Sequence, residues 1–236
     1  MRPLTIIPVE GMPEVTAGDT LSALLVDAAA AQETPLHDGD CVVVTQKVVS
    51  KAEGRIVPLD PDDLVARRAL VESESVRVLR RRGDLIISET PHGFVCANAG
   101  VDLSNVADGF AALLPADADR SARRIRDGVR ARAGVDVAVV VSDTFGRAWR
   151  TGLTDVAIGV AGIAAVMDLR GACDANGREL HVTEVAVADE IAGAAELVMG
   201  KASRVAAAVV RGLDPSWLRD SSVRELVRHP SEDLFR

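Results

Sequence analysis

Val137-Ala138-Val139-Val140-Val141-Ser142-Asp143-Thr144-Phe145-Gly146-Arg147-Ala148-Trp149-Arg150 is the stretch on which the reading of the chain turns. It opens as an apolar run rich in β-branched residues. It then breaks into an acid, a hydroxyl, a glycine and two arginines. A run of this kind, closed by a glycine turn, reads as a buried strand feeding a loop. In open α/β sheets, ligands gather at the carboxyl ends of such strands. Asp143 and Thr144 stand there as two hard oxygen ligands side by side, with Arg147 and Arg150 close behind. Mg2+ and Mn2+ favour oxygen ligands, and Mg2+ bridges carboxylates to substrate phosphates. Guanidinium groups grip phosphate or carboxylate with two parallel hydrogen bonds. An aspartate capping a helix that starts at Thr144, with arginines on its surface, explains the same residues equally well.

Working outward, Cys41 to Val44 reads as a second buried strand, entered through the turn Asp38-Gly39-Asp40. Leu4 to Val9, Leu85 to Ser88, Leu180 to Thr183 and Ala207 to Val210 read as further strands, with Phe94 to Ala97 the hairpin partner of Leu85 to Ser88. Helices are expected over Leu21 to Gln32, capped by Asp19 or Thr20, and over Asp62 to Arg82, ending in Arg80-Arg81-Arg82. Three more are expected over Asp119 to Ala133, over Glu184 to Met199 with Thr183 as cap, and over Pro215 to Val227. Thr154 to Met167 is apolar and dotted with glycine; its type is open, and close backbone packing is the inference. Strands alternate with helices, but hairpins also occur, so the class is α/β with a mixed sheet. No Pro/Ser/Gly linker divides the chain, which is taken as one domain over residues 1–236.

The net charge of −8 argues against a general binder of nucleic acid or membrane surface. Aromatics make up 3% and tyrosine is absent, which removes a stacking platform for bases. Cys41, Cys96 and Cys173 have no metal-ligand spacing; buried free thiols are expected at Cys41 and Cys96, in keeping with a reducing cytoplasm. The N-terminus lacks a signal-peptide core, and no run is long enough to span a bilayer.

Three further constellations invite chemistry. Asp102-x-x-Asn105 lies in the loop Asn98 to Val106, where an acid and an amide meet on one turn as metal ligand and nucleotide contact; taken alone, an Asx-turn satisfying its own backbone is the better account. Lys47 and Lys51, spaced four apart, converge on either a strand or a helix and could hold phosphate; taken alone, a polar strand face is the better account. Glu184, Asp189 and Glu190 on the late helix could serve a second metal, although a helix dipole accounts for Glu184. There is no P-loop, no Rossmann glycine fingerprint and no G-x-S-x-G elbow, and the four histidines are scattered.

Five segments taken together carry a resemblance. Val9-Glu10-Gly11-Met12-Pro13, the run DGDCVVVTQKVVSKAEGRIVPL (38–59), NAGVDLSNV (98–106), SDTFGRAWRTG (142–152) and VTEVAVADEI (182–191) resemble the coenzyme F420-0:L-glutamate ligase family, also called F420 γ-glutamyl ligases. The likeness covers nearly the whole chain in order, and is nearest to the N-terminal ligase half of two-domain actinobacterial enzymes. In those a nitroreductase-like domain follows, and Ser231-Glu232-Asp233-Leu234-Phe235-Arg236 resembles the junction before it.

The resemblance implies that GTP phosphorylates a terminal carboxylate of F420-0 and that the amine of L-glutamate displaces phosphate, with repeats extending a γ-linked polyglutamate tail. It implies Mg2+ or Mn2+, two per site, with K+ as a further ion, and places divalent metal on Asp102, Asp143 and Thr144. It places GTP against the backbone of Met12, Pro13, Glu14 and Val15 and against Lys51 and Asn105. The family often has serine where this chain has Gln46, whose amide still suits a nucleotide. Arg147 and Arg150 match the motif, with phosphate or the glutamate carboxylate as their expected partner beside Asp143. The implied fold is an intertwined homodimer of interlocked lobes, with the nucleotide in a groove near the interface; the implied acceptor is F420-0 or its dehydro precursor. Two other classes stay open: a different metal-dependent phosphoryl-transfer enzyme, and a catalytically silent deazaflavin-binding domain.

Overall fold

The computed structural model describes residues 3–234; Phe235 and Arg236, at the end of the junction-like segment, lie outside the described residues. In chain order the strands and helices are β1 (Thr5–Pro8), α1 (Leu21–Ala31), β2 (Cys41–Thr45), α2 (Gln46–Ala52), β3 (Ile56–Pro58), α3 (Leu64–Ser73), β4 (Arg77–Arg82), β5 (Leu85–Glu89), β6 (Val95–Ala97), β7 (Phe110–Ala112), α4 (Ala118–Ala133), β8 (Ala138–Gly146), β9 (Leu153–Ala161), β10 (Met167–Asp168), β11 (Glu184–Val185), α5 (Val187–Met199) and β12 (Ala207–Arg211).

The central sheet has the order β1-β12-β2-β8-β9. Only β2 and β8 run parallel; the other three pairings are antiparallel, so the sheet is mixed. Its inner strands are buried on both faces. Val42, Val44, Val139 and Val141 pack with α1 and α4, through Leu25, Ala29, Ala122 and Ile125. Cys41, Val43, Ala138 and Val140 pack on the other side with α5, through Ile191, Ala192 and Ala195. Two covered faces explain why β2 and β8 read as unbroken valine runs rather than as alternations. α4 is held at both ends: Asp117 Oδ1 accepts from Arg120 N at 2.9 Å, and Gly134 ends the helix at φ 72°.

A smaller region lies between α2 and α4 in the sequence. β3 pairs with β7, and β4-β5-β6 form a meander over α3, with Val71, Ile86 and Ala99 at its centre. The helix expected over Asp62 to Arg82 is corrected here: α3 ends at Ser73, and Arg77–Arg82 is a strand. Ser75 Oγ donates to the Val71 carbonyl at 2.6 Å and contacts Ser88 Oγ at 2.8 Å, drawing the chain out of the helix. Gly83-Asp84 then turns β4 into β5, a two-residue hairpin loop with glycine at φ 59°. The arginine run is thus a strand face, with Arg77 paired to Glu89 and Arg81 to Glu72.

Two late expectations are also corrected. Leu180 to Thr183 is not a strand; the ladder partner of β10 is β11, two residues wide, and α5 starts at Val187 with no side-chain cap. Pro215 to Val227 is not one helix but two 3-10 turns, Pro215–Trp217 and Val223–Leu226. Between them Ser221 Oγ donates to Ile163 O at 2.6 Å and Ser222 Oγ to Asp119 Oδ2 at 2.7 Å, pinning the backbone by side-chain bonds in place of helical ones.

Thr154 to Met167 resolves as β9 and its exit. The register slips between Val141↔Gly159 and Ser142↔Ala157, leaving Ile158 as an extra residue, a β-bulge of the kind that re-aims a strand. Beside it, a Cβ on Gly159 would sit 2.4 Å from the Ala118 carbonyl carbon. The missing side chain lets the first turn of α4 lie on β9, where Asp119 Oδ1 accepts from Val160 N at 2.8 Å. Gly159→Ala is therefore expected to destabilise by about 1–3 kcal/mol, the usual cost of overpacking. Denaturant unfolding measures it, and an unchanged midpoint would mean that α4 moves aside freely.

Candidate active site

β2 ends its parallel ladder at Thr45↔Ser142, but β8 continues with β9 alone to Gly146↔Leu153. This two-stranded ribbon carries the Asp143-Thr144 pair. Successive side chains of a strand point to opposite faces, and the ladder is regular here. Asp143 and Thr144 therefore project to opposite faces of the ribbon.

On the α5 side, Thr144 Oγ1 donates to Asp155 Oδ1 at 2.5 Å and Ser142 Oγ donates to Asp155 Oδ2 at 3.0 Å. Asp155 stands opposite Thr144 in the ladder and is 2% exposed. Lys201, just past the end of α5, brings its ammonium onto Thr144 Oγ1, 3.4 Å from Asp155 Oδ1 and 3.6 Å from Glu196 Oε1. Proximity to Asp155 adds to the burial that raises the Glu196 carboxyl.

On the other side, Asp143 lies with Phe145, whose ring meets Phe94 edge-on at 6.2 Å. Burial pushes the Asp143 carboxyl up to about 7; the Asp102 and Asp155 charges add to this, while the Thr144 amide, at 2.8 Å, and Lys201 oppose it. Burial and then Asp143 raise the Cys96 thiol to about 12. Cys41 is raised too, and both are buried free thiols, whereas Cys173 is exposed.

Asp102 approaches from the loop between β6 and β7. Its backbone exchanges two hydrogen bonds with Ala112, at 2.9 and 2.8 Å. Burial by itself would raise its carboxyl, but Lys47 at 2.8 Å and the Ser104 amide at 2.7 Å together hold it below the usual range. Lys47 also donates to Ser104 Oγ at 2.8 Å. Asn105 is exposed on the same turn, with φ 54°.

α2 takes the two lysines in different directions. Lys47 goes to Asp102, and Lys51 pairs with Glu14, which sets the Met12–Pro13–Glu14–Val15 segment against α2. Gln46 is 1% exposed and faces inward. Ser50 has one hydroxyl proton, donated to Leu113 O at 2.6 Å, so the Gln46 amide atom 2.8 Å from Ser50 Oγ must be the NH2 group. That assignment gives a partner to the otherwise orphaned Gln46 amide nitrogen and ties α2 to the chain after β7. Arg147 and Arg150 are exposed on the ribbon's turn, where Arg147 Nη2 donates to Thr151 O at 2.7 Å.

The acids of the late helix are dispersed. Asp189 Oδ1 accepts from the Ala157 amide at the bulge, at 2.9 Å; Glu184 pairs with Arg170 at 3.3 Å; Glu190 is exposed. Sequence reasoning missed Ser142, Asp155, Glu196 and Lys201 as members of the site. The available signal was Asp155 itself, an acid inside an otherwise apolar strand.

Among the described residues no three His, Cys, Asp or Glu side chains converge to hold a metal ion by themselves. The donors nonetheless suit hard cations. Each face offers carboxylate oxygens beside a lysine ammonium, and Mg2+ normally takes only one or two carboxylates, completing its shell with phosphate and water. The raised Asp143 carboxyl has a thermodynamic consequence. Its folded pKa lies above the ordinary value of 3.8, so ionising it opposes folding. The penalty is absent below the ordinary value, grows between it and about 7, and is complete above that. With divalent ions chelated, Asp143→Asn is expected to melt above the unsubstituted protein at about pH 8 and level with it near pH 4. Calorimetry at both values checks this; equal melting at the higher pH would remove the strain from Asp143.

The chain as a whole is similar to known proteins. The F420-0:Gamma-glutamyl ligase family model matches residues 11–212. Proteins named Coenzyme F420:L-glutamate ligase are similar over nearly the full length of both chains. That of Methanothermobacter thermautotrophicus is 45% identical over 249 residues, covering 99% of each chain. That of Methanopyrus kandleri is 42% identical, covering 99% of this chain and 98% of its own. The protein of that name in Methanocaldococcus jannaschii is 37% identical over 86% of each. With the match spanning β2, the Asp102 loop, the β8–β9 ribbon and α5, the chain belongs to the F420-0:Gamma-glutamyl ligase family.

Proposed function

We propose that the protein joins L-glutamate to coenzyme F420-0 through an amide bond, using GTP, and repeats the step to build γ-linked glutamates. Family membership supports the ligase chemistry. The observation that carries the site is the two-faced ribbon, with Asp143 and Asp102 on one side and Thr144, Asp155 and Glu196 on the other.

A carboxylate is a poor acyl donor. Transfer of the γ-phosphoryl group to the terminal carboxylate of F420-0 gives an acyl phosphate; attack by the glutamate amine then forms the C–N bond and expels phosphate, leaving GDP. Mg2+ or Mn2+, one on each face, would be held by Asp102 and Asp143 and by Thr144, and supplies charge neutralisation at phosphate oxygens when bound. K+ serves as a further ion.

The chain's own contribution is positioning. The Met12–Pro13–Glu14–Val15 backbone and Lys51 form the nucleotide side, with Asn105 on the Asp102 turn. The inward side chain of Gln46 leaves its backbone as the contact with nucleotide. Lys47, beside Asp102, and Lys201, beside Thr144, would meet phosphate charge. Arg147 and Arg150, on the exposed turn, reach for phosphate or the carboxylates of incoming glutamate. Chemistry by placement and preorganised charges requires no protein nucleophile. In this reading, which rests on the family resemblance, the chain acts in the cytoplasm as one domain within an intertwined homodimer. No helix among the described residues is long and apolar enough to cross a membrane.

Incubation with F420-0, L-glutamate, GTP and Mg2+ or Mn2+ is expected to yield products heavier by glutamate units in mass spectrometry. GTP consumption without a mass increment would point to a phosphohydrolase, and F420-0 binding without GTP consumption to a silent carrier domain. Asp143→Asn is expected to fold and to lose ligase activity by roughly 100-fold or more, about 3 kcal/mol of transition-state stabilisation. Full activity of that variant in excess Mn2+ would take Asp143 out of the site.

A further inference from the structure

We propose that Asp155 is a positioning residue, fixing the hydroxyl of Thr144 as a one-way acceptor that faces a cation. The inference rests on the reading above, in which Thr144 meets a divalent ion, and extends it to a residue outside that ligand set.

An ionised carboxylate only accepts hydrogen bonds, and a hydroxyl has a single proton to give. Asp155 is 2% exposed and takes two such protons, from Thr144 at 2.5 Å on Oδ1 and from Ser142 at 3.0 Å on Oδ2. With its proton committed to Asp155, Thr144 Oγ1 presents lone pairs alone on its remaining side. The ammonium of Lys201 already sits against that oxygen, which shows the polarity the site offers. The ladder enforces the arrangement, because Thr144 and Asp155 are cross-strand partners in register. Thr144 alone would be a freely rotating hydroxyl, able to present its proton to an approaching cation. Asp155 removes that orientation without touching the ion, as second-layer partners of metal ligands commonly do.

The test is Mn2+ binding followed by electron paramagnetic resonance of the free ion, with Mn2+ as the sole added ligand. The unsubstituted protein is compared with Thr144→Ala, Asp155→Asn and the double variant. Each single substitution is expected to weaken binding at the affected ion by about tenfold. The double variant is expected to be no weaker than the weaker single, because both remove the same oriented lone pair. Additive losses of about a hundredfold, or an Asp155→Asn variant that melts lower yet binds Mn2+ normally, overturn the proposal. Absence of Mn2+ binding by the unsubstituted protein overturns the metal reading itself, and this proposal with it. Should Asp155→Asn not fold, nuclear magnetic resonance of the unsubstituted protein decides. A slowly exchanging hydroxyl proton coupled to the Thr144 methyl group supports the assignment, and a rapidly exchanging one overturns it.

Discussion

Once Thr45 ends its ladder, β8 keeps one neighbour where it had two, and the site depends on that loss. Inside the sheet, alternate residues of β8 disappear into two apolar layers. Beyond Ser142 the same alternation continues, now carrying polar side chains on both faces, with Phe145 still packed on the apolar layer of one. The period of two that packs Val139 and Val140 apart also sends Asp143 and Thr144 apart. The Ile158 bulge sits at the transition and resets the pairing of β9, so that Asp155 rather than a neighbour lies opposite Thr144. A one-residue change in that register would exchange the contents of the two faces.

This arrangement is costly to the free protein. Burial and the nearby charges of Asp102 and Asp155 raise the Asp143 carboxyl, against the Thr144 amide and Lys201, while Lys47 and the Ser104 amide hold Asp102 down. Such stored repulsion is common at sites built for cations or anionic substrates. The surrounding structure supplies the restraint. Asp102 is fastened to Ala112 by two backbone bonds, and α4 is seated on β9 through the bare backbone of Gly159. Stability is drawn from the valine-rich layers, where no charge intervenes.

Much of the core was legible because periodicity and composition act locally: β2, β12, α1 and α4 lie within a few residues of where hydrophobic patterning puts them, whereas β8 starts there but continues as strand to Gly146, in place of the expected loop or helix start. The failures share a cause. At Ser75, Ser221 and Ser222 a hydroxyl competes with the helix for a backbone partner far along the chain, and no window of sequence contains that partner. Gly83-Asp84 is a two-residue hairpin signal next to an arginine-rich run that reads as helix. In the site, Asp143, Thr144 and Asp102 were readable as motif residues. Their division between two faces was not, since it depends on where β2 stops. Lys201 is 46 residues from Asp155 and meets it only because α5 returns along the sheet.

The ribbon's turn also carries Trp149, 87% exposed, one of two tryptophans in a chain without tyrosine. The other, Trp217, packs partly against the α5 layer at the far end of the chain. Nearly all of the protein's ultraviolet emission therefore arises from two indoles in unlike surroundings. One sits on solvent-facing backbone six residues from Asp143; the other is sheltered. The chain has an intrinsic optical label at the rim of its own site, and quenchers dissolved in water will single that label out.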